Sequence, residues 1–477
     1  MRKNIITYLM ISTGIFMLYA GIVLGNSIIN KAFEANGAFS MDKVVVSLKN
    51  QIDPLGENIL SEDDIKKLTD FLKTSDISYT AQPGVKLQQP INENSVEESA
   101  GNMVLNGQTS YPVKLLGTNS EYADFSNVTL KYGSFFSKKS EEEGAATAVI
   151  DTELAWTIFK TDNAIGKTIN IYGEPFSIIG ILKKDTSILN TLNDDGKALI
   201  YIPAQKLMEL DKSAGITSFQ IRLTDNINLD QNSDYITDGL QQIGKIPDFY
   251  EITDYSTKKL AMEQKPLIIV FIPGCITIII LLLRIKKVIQ RKIYYVIREG
   301  CKTDYFSKVV KDNKNSIVSG CMEVFIIAVC MLILWYLIRF NFYISPKSIP
   351  EELIDISYYA KLIKSGVQSN AANLGFIPSM IEQYMHTAGA LLDAVFWISI
   401  ITGLFLFYTG MHLARLNNIE PYKLSVFCAL TLFASAVLLL FADNLLGLPY
   451  SLQLRSVIAL WAFIYIAVNN ERRIKNV

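Results

Sequence analysis

"AIGKTINIYGEPFSIIGILKK", residues 164–184, contains two runs in which apolar and polar side chains alternate. A period of two is typical of a half-buried β-strand, and both "KTINIYG" and "EPFSIIGILK" have it. Gly173 lies between the two runs, where a tight turn favours a residue that tolerates a positive φ. The stretch therefore predicts a β-hairpin.

The tripeptide Gly166-Lys167-Thr168 in the same stretch would close a phosphate loop in a nucleotide-binding protein. That loop needs a glycine five positions before the Gly-Lys pair, but Thr161 stands there. In a phosphate loop the lysine opens a helix, whereas here a strand pattern follows. We therefore expect no ATP site at this tripeptide.

Around the hairpin, residues 30–264 alternate strand-like and helical patterns, which predicts one large α+β domain or two smaller lobes. "SEDDIKKLTDFLKTS", residues 61–75, predicts a helix with Ser61 as its cap and Asp64 at the third helical position. The segment 30–264 has no cysteine, so no disulfide framework is expected. It also has no histidine, which argues against Ser-His or Cys-His catalysis, and we do not expect an enzyme.

Half of the residues are apolar and the mean hydropathy is +0.24, which suits a protein that is partly embedded in a membrane. Apolar runs of about 20 residues are long enough to cross a bilayer as helices. Six such spans are predicted, at 5–28, 266–284, 316–340, 389–411, 424–442 and 453–469. The first follows Arg2 and Lys3, but its apolar core is too long for a signal peptide, so we expect a retained anchor. The predicted fold class is an α-helical membrane protein of about six transmembrane helices, with a large extracytoplasmic α+β domain inserted between helices 1 and 2.

The charges are strongly divided along the chain although the formal net charge is only −1. Residues 30–265 contain 23 Lys or Arg and 34 Asp or Glu, whereas residues 284–314 contain 10 basic and 3 acidic residues. The positive-inside rule therefore places 284–314 in the cytoplasm and the acidic segment outside. With six spans, both termini are predicted to be cytoplasmic.

The basic segment "RIKKVIQRKIYYVIREGCKTDYFSKVVKDNKN", residues 284–315, predicts two short helices with a turn at "EGCKTD". A basic amphipathic stretch of this kind can lie on anionic lipid or dock a cytoplasmic partner. The charges alone leave both possibilities open.

Several motifs resemble the MacB/FtsX family of ABC-transporter permeases. The first is "VTLKYGSFFSKKSEEEGAATAVIDTELAWTIFKTDNAIGKTINIYGEPFSIIGILKK", residues 128–184, followed by "YIP", which is similar to the core of the family's outer domain. The residues that match this motif are Gly133, Phe135, Phe136, Val149, Ile150, Leu154, Ala155, Phe159, Ile165, Gly166, Lys167, Phe176, Gly180, Tyr201 and Pro203.

Two further motifs follow in the order that the family has them. "VIREGCKTDYFSKVVKDNKNSIVSGCMEV" resembles the family's coupling region, and "MHLARLNNIEPYKLS" resembles the segment after its fourth span. The matching residues are Arg298, Gly300 and Glu323 in the former and Ala414, Pro421 and Leu424 in the latter.

The resemblance implies a domain organisation with one addition to the family's four spans. An N-terminal transmembrane helix (1–29) precedes a MacB-like core domain (30–264) and an FtsX-like permease domain (265–424). The permease domain contains the coupling segment 285–315 and an outer loop 342–388, in which "PEELIDISYYAKLIKSG" predicts an amphipathic helix. Residues 425–477 form an additional transmembrane hairpin with a cytoplasmic tail.

The resemblance also implies a function and its partners. The chain would be the permease of a mechanotransmission ABC transporter in a bacterial plasma membrane, handling peptide, lipid-like or antimicrobial cargo. A separate cytoplasmic ABC ATPase would bind ATP and Mg, and a second permease would form a homo- or heterodimer; nucleic acid is not expected as a partner. The alternatives are an ABC-type sensor complex and an FtsX-like activator of an extracellular cell-wall hydrolase.

The residues that we expect to couple to the ATPase are Arg298, Glu299, Gly300, Lys302 and Asp304. Glycine would permit a φ that other residues resist, and the flanking charges could pair across an interface.

Two acidic residues lie in or near the predicted spans, Glu323 and Asp393, and each either reaches the membrane interface or has an interhelical role. The two histidines, His386 and His412, are predicted on opposite faces of the membrane, so neither a metal nor a cofactor is expected on this chain.

Overall fold

The structure is a computed structural model that describes residues 2–49, 57–74, 76–84, 103–106, 109–222, 232–302, 304–344 and 379–469. The chain divides into two compact units. The sheet unit comprises Lys31–Met262 and Tyr343–Gly389, and the membrane unit comprises Met1–Asn30, Glu263–Phe342 and Ala390–Val477. The amphipathic helix predicted at 350–366 lies outside the described residues.

Within the described residues, the sheet unit is built on eleven strands that belong to a single sheet. They are β1 Val44–Leu48, β2 Ile77–Gln82, β3 Met103–Asn106, β4 Thr109–Thr118, β5 Leu130–Gly133, β6 Thr147–Asp151, β7 Thr168–Ile171, β8 Glu174–Leu182, β9 Ala198–Pro203, β10 Gly215–Ile221 and β11 Tyr250–Asp254. The order β11-β1-β10-β2-β4-β3-β7-β8-β6-β9 folds back on itself, because β4 also pairs in parallel with β9. Six strands therefore form a closed ring, and β2, β10, β1 and β11 extend from β4 as an open sheet.

The predicted hairpin is confirmed as β7 and β8. Its two-residue loop is Tyr172-Gly173, with φ of 51° and 85°, and Ile171 pairs with Glu174 across it. Positive φ at both loop residues is the pattern of a type I′ turn, whose twist matches that of the flanking strands. Gly173 stands at the second of these positions, where a glycine has no steric penalty.

Seven α-helices pack around the described strands of this unit: α2 Glu62–Leu72, α3 Tyr122–Phe125, α4 Lys138–Glu142, α5 Thr152–Phe159, α6 Ile188–Asn193, α7 Ala204–Leu210 and α8 Asn232–Gln242. The predicted cap of α2 is confirmed, because the Ser61 hydroxyl accepts from the Asp64 N–H while the Asp64 carboxylate accepts from the Ser61 N–H. A continuous apolar core joins the strands to α2, α5, α7 and α8.

The remaining helices carry the apolar spans. They are α1 Arg2–Ala35, α9 Tyr255–Val288, a π-helix Ile289–Tyr294, α10 Tyr295–Gly300, α11 Phe306–Asp312, α12 Lys314–Ile338, α13 Met380–Leu416, α14 Pro421–Leu445 and α15 Leu454–Asn469. Within the described residues, five helical stretches are long and apolar enough to cross a membrane, whereas α15 has 16 residues. The chain is thus a multi-pass membrane protein, and the described residues of the sixth predicted span, 453–469, form a helix of 16 residues.

Helix α1 is the centre of the membrane unit. Its residues Ile11, Ile15 and Leu18 are fully buried in a cluster with α9, α12, α13, α14 and α15. Small residues let α1 and α13 approach closely: a Cβ at Gly14 would lie 2.6 Å from the backbone nitrogen of Phe407. Backbone contacts of this kind are a common way for helices to associate in lipid, where apolar burial gives no driving force.

Candidate functional site

The basic segment is the clearest candidate for a functional site in the membrane unit. Helix α9 does not stop at the end of the predicted second span; it continues through the π-helix into α10, so that one helical stretch runs from Tyr255 to Gly300. The chain then turns and enters α11. The predicted turn at "EGCKTD" is confirmed, but the first of the two short predicted helices is an extension of α9 rather than a separate element.

Gly300 has a different role from the one that its residue type suggested. The expectation of an unusual φ at Gly300 is wrong, because this residue is the last of α10 and has no positive φ. A Cβ at this position would lie 2.3 Å from Cγ1 of Val309, which is 3% exposed on α11. Glycine is therefore needed here for close packing between α10 and α11, which holds the turn in shape.

The charged residues of the turn form short-range pairs on an exposed surface. Lys302 Nζ lies 2.7 Å from Glu299 Oε1, and Lys308 Nζ lies 2.9 Å from Asp304 Oδ1. The Asp304 N–H donates to the carbonyl of Gly300 at 3.0 Å. Both pairs lie within the chain, and pairing of these charges across an interface stays a prediction. Because exposed pairs of this kind contribute about 0–1 kcal/mol to stability, they can exchange partners at little cost.

Two aromatic residues beside the turn were missed by the sequence analysis. Tyr305 is 89% exposed and Phe306 is 62% exposed, at the start of α11. Arg298 adds a guanidinium over the ring of Tyr294, 5.9 Å from its centroid. Exposed aromatic and arginine side chains next to each other are typical of the anchors of protein interfaces. The adjacent pair of aromatic residues within a polar turn is the signal that would have identified this surface.

Both acidic residues singled out in the spans have basic partners. Glu323 on α12 lies 3.5 Å from Arg284 and 3.2 Å from Lys292, and its side chain is 17% exposed. Asp393 on α13 pairs with Lys265 on α9 and is half exposed. Both residues thus make interhelical ion pairs, and the pair of Asp393 is the more accessible of the two.

A third acidic residue in the membrane unit, Asp443, lies just beyond the predicted span 424–442. Helix α14 continues to Leu445, so Asp443 lies inside it and is fully buried, where it accepts a 2.9 Å hydrogen bond from the hydroxyl of Ser27 on α1. Its other oxygen, Oδ1, has no hydrogen-bond partner among the described residues. Asp443 continues the helical spacing of the buried residues Leu424, Cys428, Leu432, Ser435 and Leu439. That spacing was the signal in the sequence.

The additional hairpin, α14 and α15, makes further polar contacts within the membrane unit. Gln453 donates to the side-chain oxygen of Asn26 on α1 at 3.1 Å. Arg455 donates to the carbonyls of Tyr336 and Leu337 at the end of α12, which supplies partners to groups that a helix terminus leaves unsatisfied. The hairpin is therefore fastened to α1 and α12 by hydrogen bonds as well as by apolar packing.

The tripeptide 166–168 has the geometry of a loop between secondary-structure elements. Gly166 has a φ of +77°, and Thr168 begins strand β7. The ammonium group of Lys167 lies 4.8 Å from the centroid of the Phe159 ring, a cation–π distance. These residues thus connect α5 to the hairpin, and no helix follows them.

Comparison with known proteins gives a consistent result. Residues 5–238 match the family of the MacB-like periplasmic core domain. The chain is 25% identical over 153 residues to the macrolide export ATP-binding/permease protein MacB of Neisseria meningitidis serogroup A, covering 32% of this chain and 23% of that protein. It is 24% identical over 200 residues to the pyoverdine export ATP-binding/permease protein PvdT of Pseudomonas aeruginosa, covering 42% and 27%. The chain therefore spans about a quarter of the length of these relatives.

Two solved structures align with part of the chain. The periplasmic region of MacB from Actinobacillus actinomycetemcomitans aligns with 49% of this chain and 95% of its own, at 18% identity and a TM-score of 0.35. The extracellular domain of the noncanonic ABC-type transporter YknZ from Gram-positive bacteria aligns with 44% and 98%, at 15% identity and a TM-score of 0.32. The family match and the related sequences show that the chain carries a MacB-like periplasmic core domain and is a distant homologue of the MacB and PvdT permeases.

Proposed function

We propose that the chain is the permease subunit of an ABC transporter in which a separate cytoplasmic ATPase drives movement of the extracytoplasmic domain. The observation that carries the proposal is the exposed turn 298–304 with the adjacent Tyr305 and Phe306, at the end of the 46-residue helical stretch Tyr255–Gly300, in a chain with a MacB-like domain. The turn is held in shape by the packing of Gly300 on Val309 and presents charges and aromatic side chains together.

The charge distribution supports an orientation for this subunit. The basic segment lies in the cytoplasm, beside the ATPase that binds ATP and Mg, and the acidic sheet unit lies outside. A second permease, identical or different, completes the transporter, as the resemblance to the family implies. Coupling then depends on Arg298, Glu299, Lys302 and Asp304, with Gly300 maintaining the turn.

The cargo is proposed only at the level of a class. The names of the relatives describe macrolide and pyoverdine export. We propose that this chain handles peptide, lipid-like or antimicrobial cargo outside the membrane. The excess of acidic residues in 30–265 would favour cationic molecules through long-range attraction, which weakens as salt is added.

The proposal is tested by purifying the full chain from its native membrane and identifying the proteins that accompany it. We expect an ATPase chain with a complete phosphate loop. In a variant with Tyr305→Ala and Phe306→Ala, the recovery of that ATPase should fall about tenfold, the effect of losing an interface anchor worth more than 1 kcal/mol. Phe433→Ala is the control, because Phe433 is 73% exposed in the middle of α14, away from the basic segment in sequence.

The outcomes separate this function from its alternatives. Recovery of a fully functional protein without any ATPase chain would refute the permease assignment. A complex that hydrolyses ATP but moves none of the candidate peptides and lipids would favour a sensor, and release of cell-wall fragments on ATP hydrolysis would favour a hydrolase activator.

A further inference from the structure

The helical stretch that leads to the turn contains an irregularity at a defined place. Residues Ile289–Tyr294 are π-helical, between α9 and α10. Such segments accommodate one residue more than an α-helix of the same span, are rare, and are frequent at functional sites. Some interaction must therefore favour the π-helix over the α-helix at this point.

Side chains of α12 bind the chain on both sides of the point where the π-helix begins. Glu323 Oε1 lies 3.5 Å from Arg284, five residues before the π-helix begins. Glu323 Oε2 lies 3.2 Å from Lys292, which is inside the π-helix. Lys292 Nζ also donates to Ser319 Oγ at 3.0 Å. Ser319 and Glu323 are four residues apart, so both side chains lie on one face of α12.

The backbones of the two helices are unusually close at the same place. Gly320 on α12 is buried, and a Cβ there would lie 3.0 Å from Cβ of Lys292 and 3.3 Å from Cγ1 of Ile293. The π-helix thus fits against a residue that has no side chain. Lys292 thus packs closely against Gly320 and also pairs with Glu323.

The π-helix sets the direction in which the turn 298–304 faces. An α-helix rotates by about 100° and rises about 1.5 Å per residue. If Ile289–Tyr294 became α-helical, the additional residue would enter the helix and would rotate α10 and the turn by about 100° relative to α9. The charged and aromatic residues would then face another direction.

We propose that Glu323 is the positioning residue of the turn 298–304. By holding Arg284 and Lys292 at once, it maintains the π-helix and thereby the rotational setting of the surface that docks the ATPase. This inference rests on the proposed function and adds to it the residue that aligns the docking surface. Glu323 contacts neither nucleotide nor cargo in this role.

The test combines a neutral substitution with a deletion. Glu323→Gln keeps the shape of the side chain but removes the charge that both basic residues bind, so we expect the π-helix to become α-helical. In the purified complex, stimulation of ATP hydrolysis by the permease should fall about fivefold or more, the size of a typical coupling between sites. Deletion of Gln290 removes one residue from the π-helix and leaves α9 and α10 in their original rotational setting.

The decisive measurement is the double variant that carries both changes. If Glu323 acts by maintaining the π-helix, deletion of Gln290 restores ATPase stimulation in the Glu323→Gln background. If Glu323 serves only to neutralise Arg284 and Lys292, the double variant remains impaired, which would overturn the inference. Deletion of Val296, on α10 after the π-helix, is the matched control: it should impair stimulation in the wild-type background, where the π-helix is kept, and restore it in the Glu323→Gln background, because it also removes one residue between α9 and the turn.

A second measurement works on the permease alone. Spin labels at Tyr295 and Val318, both about half exposed, report the rotation of α10 relative to α12 as a distance. The distance should change in Glu323→Gln and return in the double variant; an unchanged distance would overturn the inference even if an ATPase binds. Absence of any ATPase from the purified wild type, by contrast, would refute the proposed function and leave this distance as the test of Glu323.

Discussion

Glu323 and Asp443 are both acidic residues of the membrane unit, yet their surroundings are opposite. Glu323 is partly accessible and lies between two basic side chains, whereas Asp443 is fully buried and accepts a hydrogen bond from a hydroxyl group. A charge in hydrocarbon is costly unless it is paired, so the first site suits a carboxylate and the second suits a neutral hydrogen-bonding group. The site at Glu323 therefore depends on charge, whereas the site at Asp443 depends on a hydrogen bond that needs no charge.

Neutralising each residue in turn is the strongest test of this difference between Glu323 and Asp443. Glu323→Gln removes both ion pairs and leaves two partly exposed cations without this partner, so we expect a loss of about 2 kcal/mol, between the values for exposed and buried pairs. Asp443→Asn keeps an oxygen that can accept from Ser27, so we expect a change within about 0.5 kcal/mol. Thermal unfolding of the two purified variants, in the same detergent, measures both effects.

Asp443→Ala is the control for the hydrogen bond itself. It leaves the Ser27 hydroxyl buried without its acceptor, at a cost of about 1–3 kcal/mol. Equal losses for the asparagine and alanine variants would show that the charge of Asp443 matters after all, and the contrast with Glu323 would fail.

Enlarging Gly320 tests whether contact or charge dominates beside Glu323. Gly320→Val leaves every charge in place but forces α12 away from Lys292, and overpacking of this kind costs about 1–3 kcal/mol. We expect a lower unfolding temperature and weaker ATPase stimulation. The control is Gly389→Val on α13, because a Cβ at Gly389 meets no atom within 4 Å. Equal effects of the two variants would mean that close packing at Gly320 has no special role.

Local patterns in the sequence predicted the hairpin β7–β8 and the cap of α2, because both depend on residues that are close along the chain. The closed ring of strands depends on the parallel pairing of β4 with β9, which no local pattern reports. The π-helix was equally inaccessible, since its residues also suit an α-helix and the contacts that favour it come from α12. Asp443 differs from these, because its signal was present in a helical spacing that continues beyond the end of the predicted span 424–442.

Lys43 extends the comparison to the sheet unit, where a basic group is buried without a counter-charge. It is 2% exposed, donates to the carbonyls of Asn36 and Phe125, and has no carboxylate of the described residues within salt-bridge distance. Burial holds the pKa of Lys43 well below its ordinary value of 10.5. Like Asp443, it suits a neutral state better than a charged one.

The depressed pKa predicts how stability depends on pH. Between the pKa of the folded state and 10.5, the unfolded chain binds a proton at Lys43 that the folded chain does not, so the free energy of unfolding rises with pH across this window. Lys43→Met cannot bind that proton and should flatten this slope. Hydrogen exchange of the peptide 41–48 in the full-length protein measures this slope. It is followed from about pH 6 upwards and corrected for the intrinsic exchange rate. Parallel slopes for wild type and variant would show that Lys43 is charged when folded.

The smallest effect on stability is expected where charges are exposed, at the turn itself. Exchanging the pair, with Glu299→Lys and Lys302→Glu, preserves the local ion pair, which is worth about 0–1 kcal/mol, so the unfolding temperature should change little. The pattern that a partner meets is nevertheless inverted, and like charges facing each other across an interface cost several kcal/mol. We therefore expect recovery of the ATPase to fall at least tenfold while the protein remains folded. The same exchange at Asp63 and Lys67, an exposed pair on α2 of the sheet unit, should leave ATPase recovery unchanged. If both exchanges behave alike, the charges of the turn take no part in docking. The difference between the charge-dependent site at Glu323 and the charge-independent site at Asp443 would then hold for stability alone.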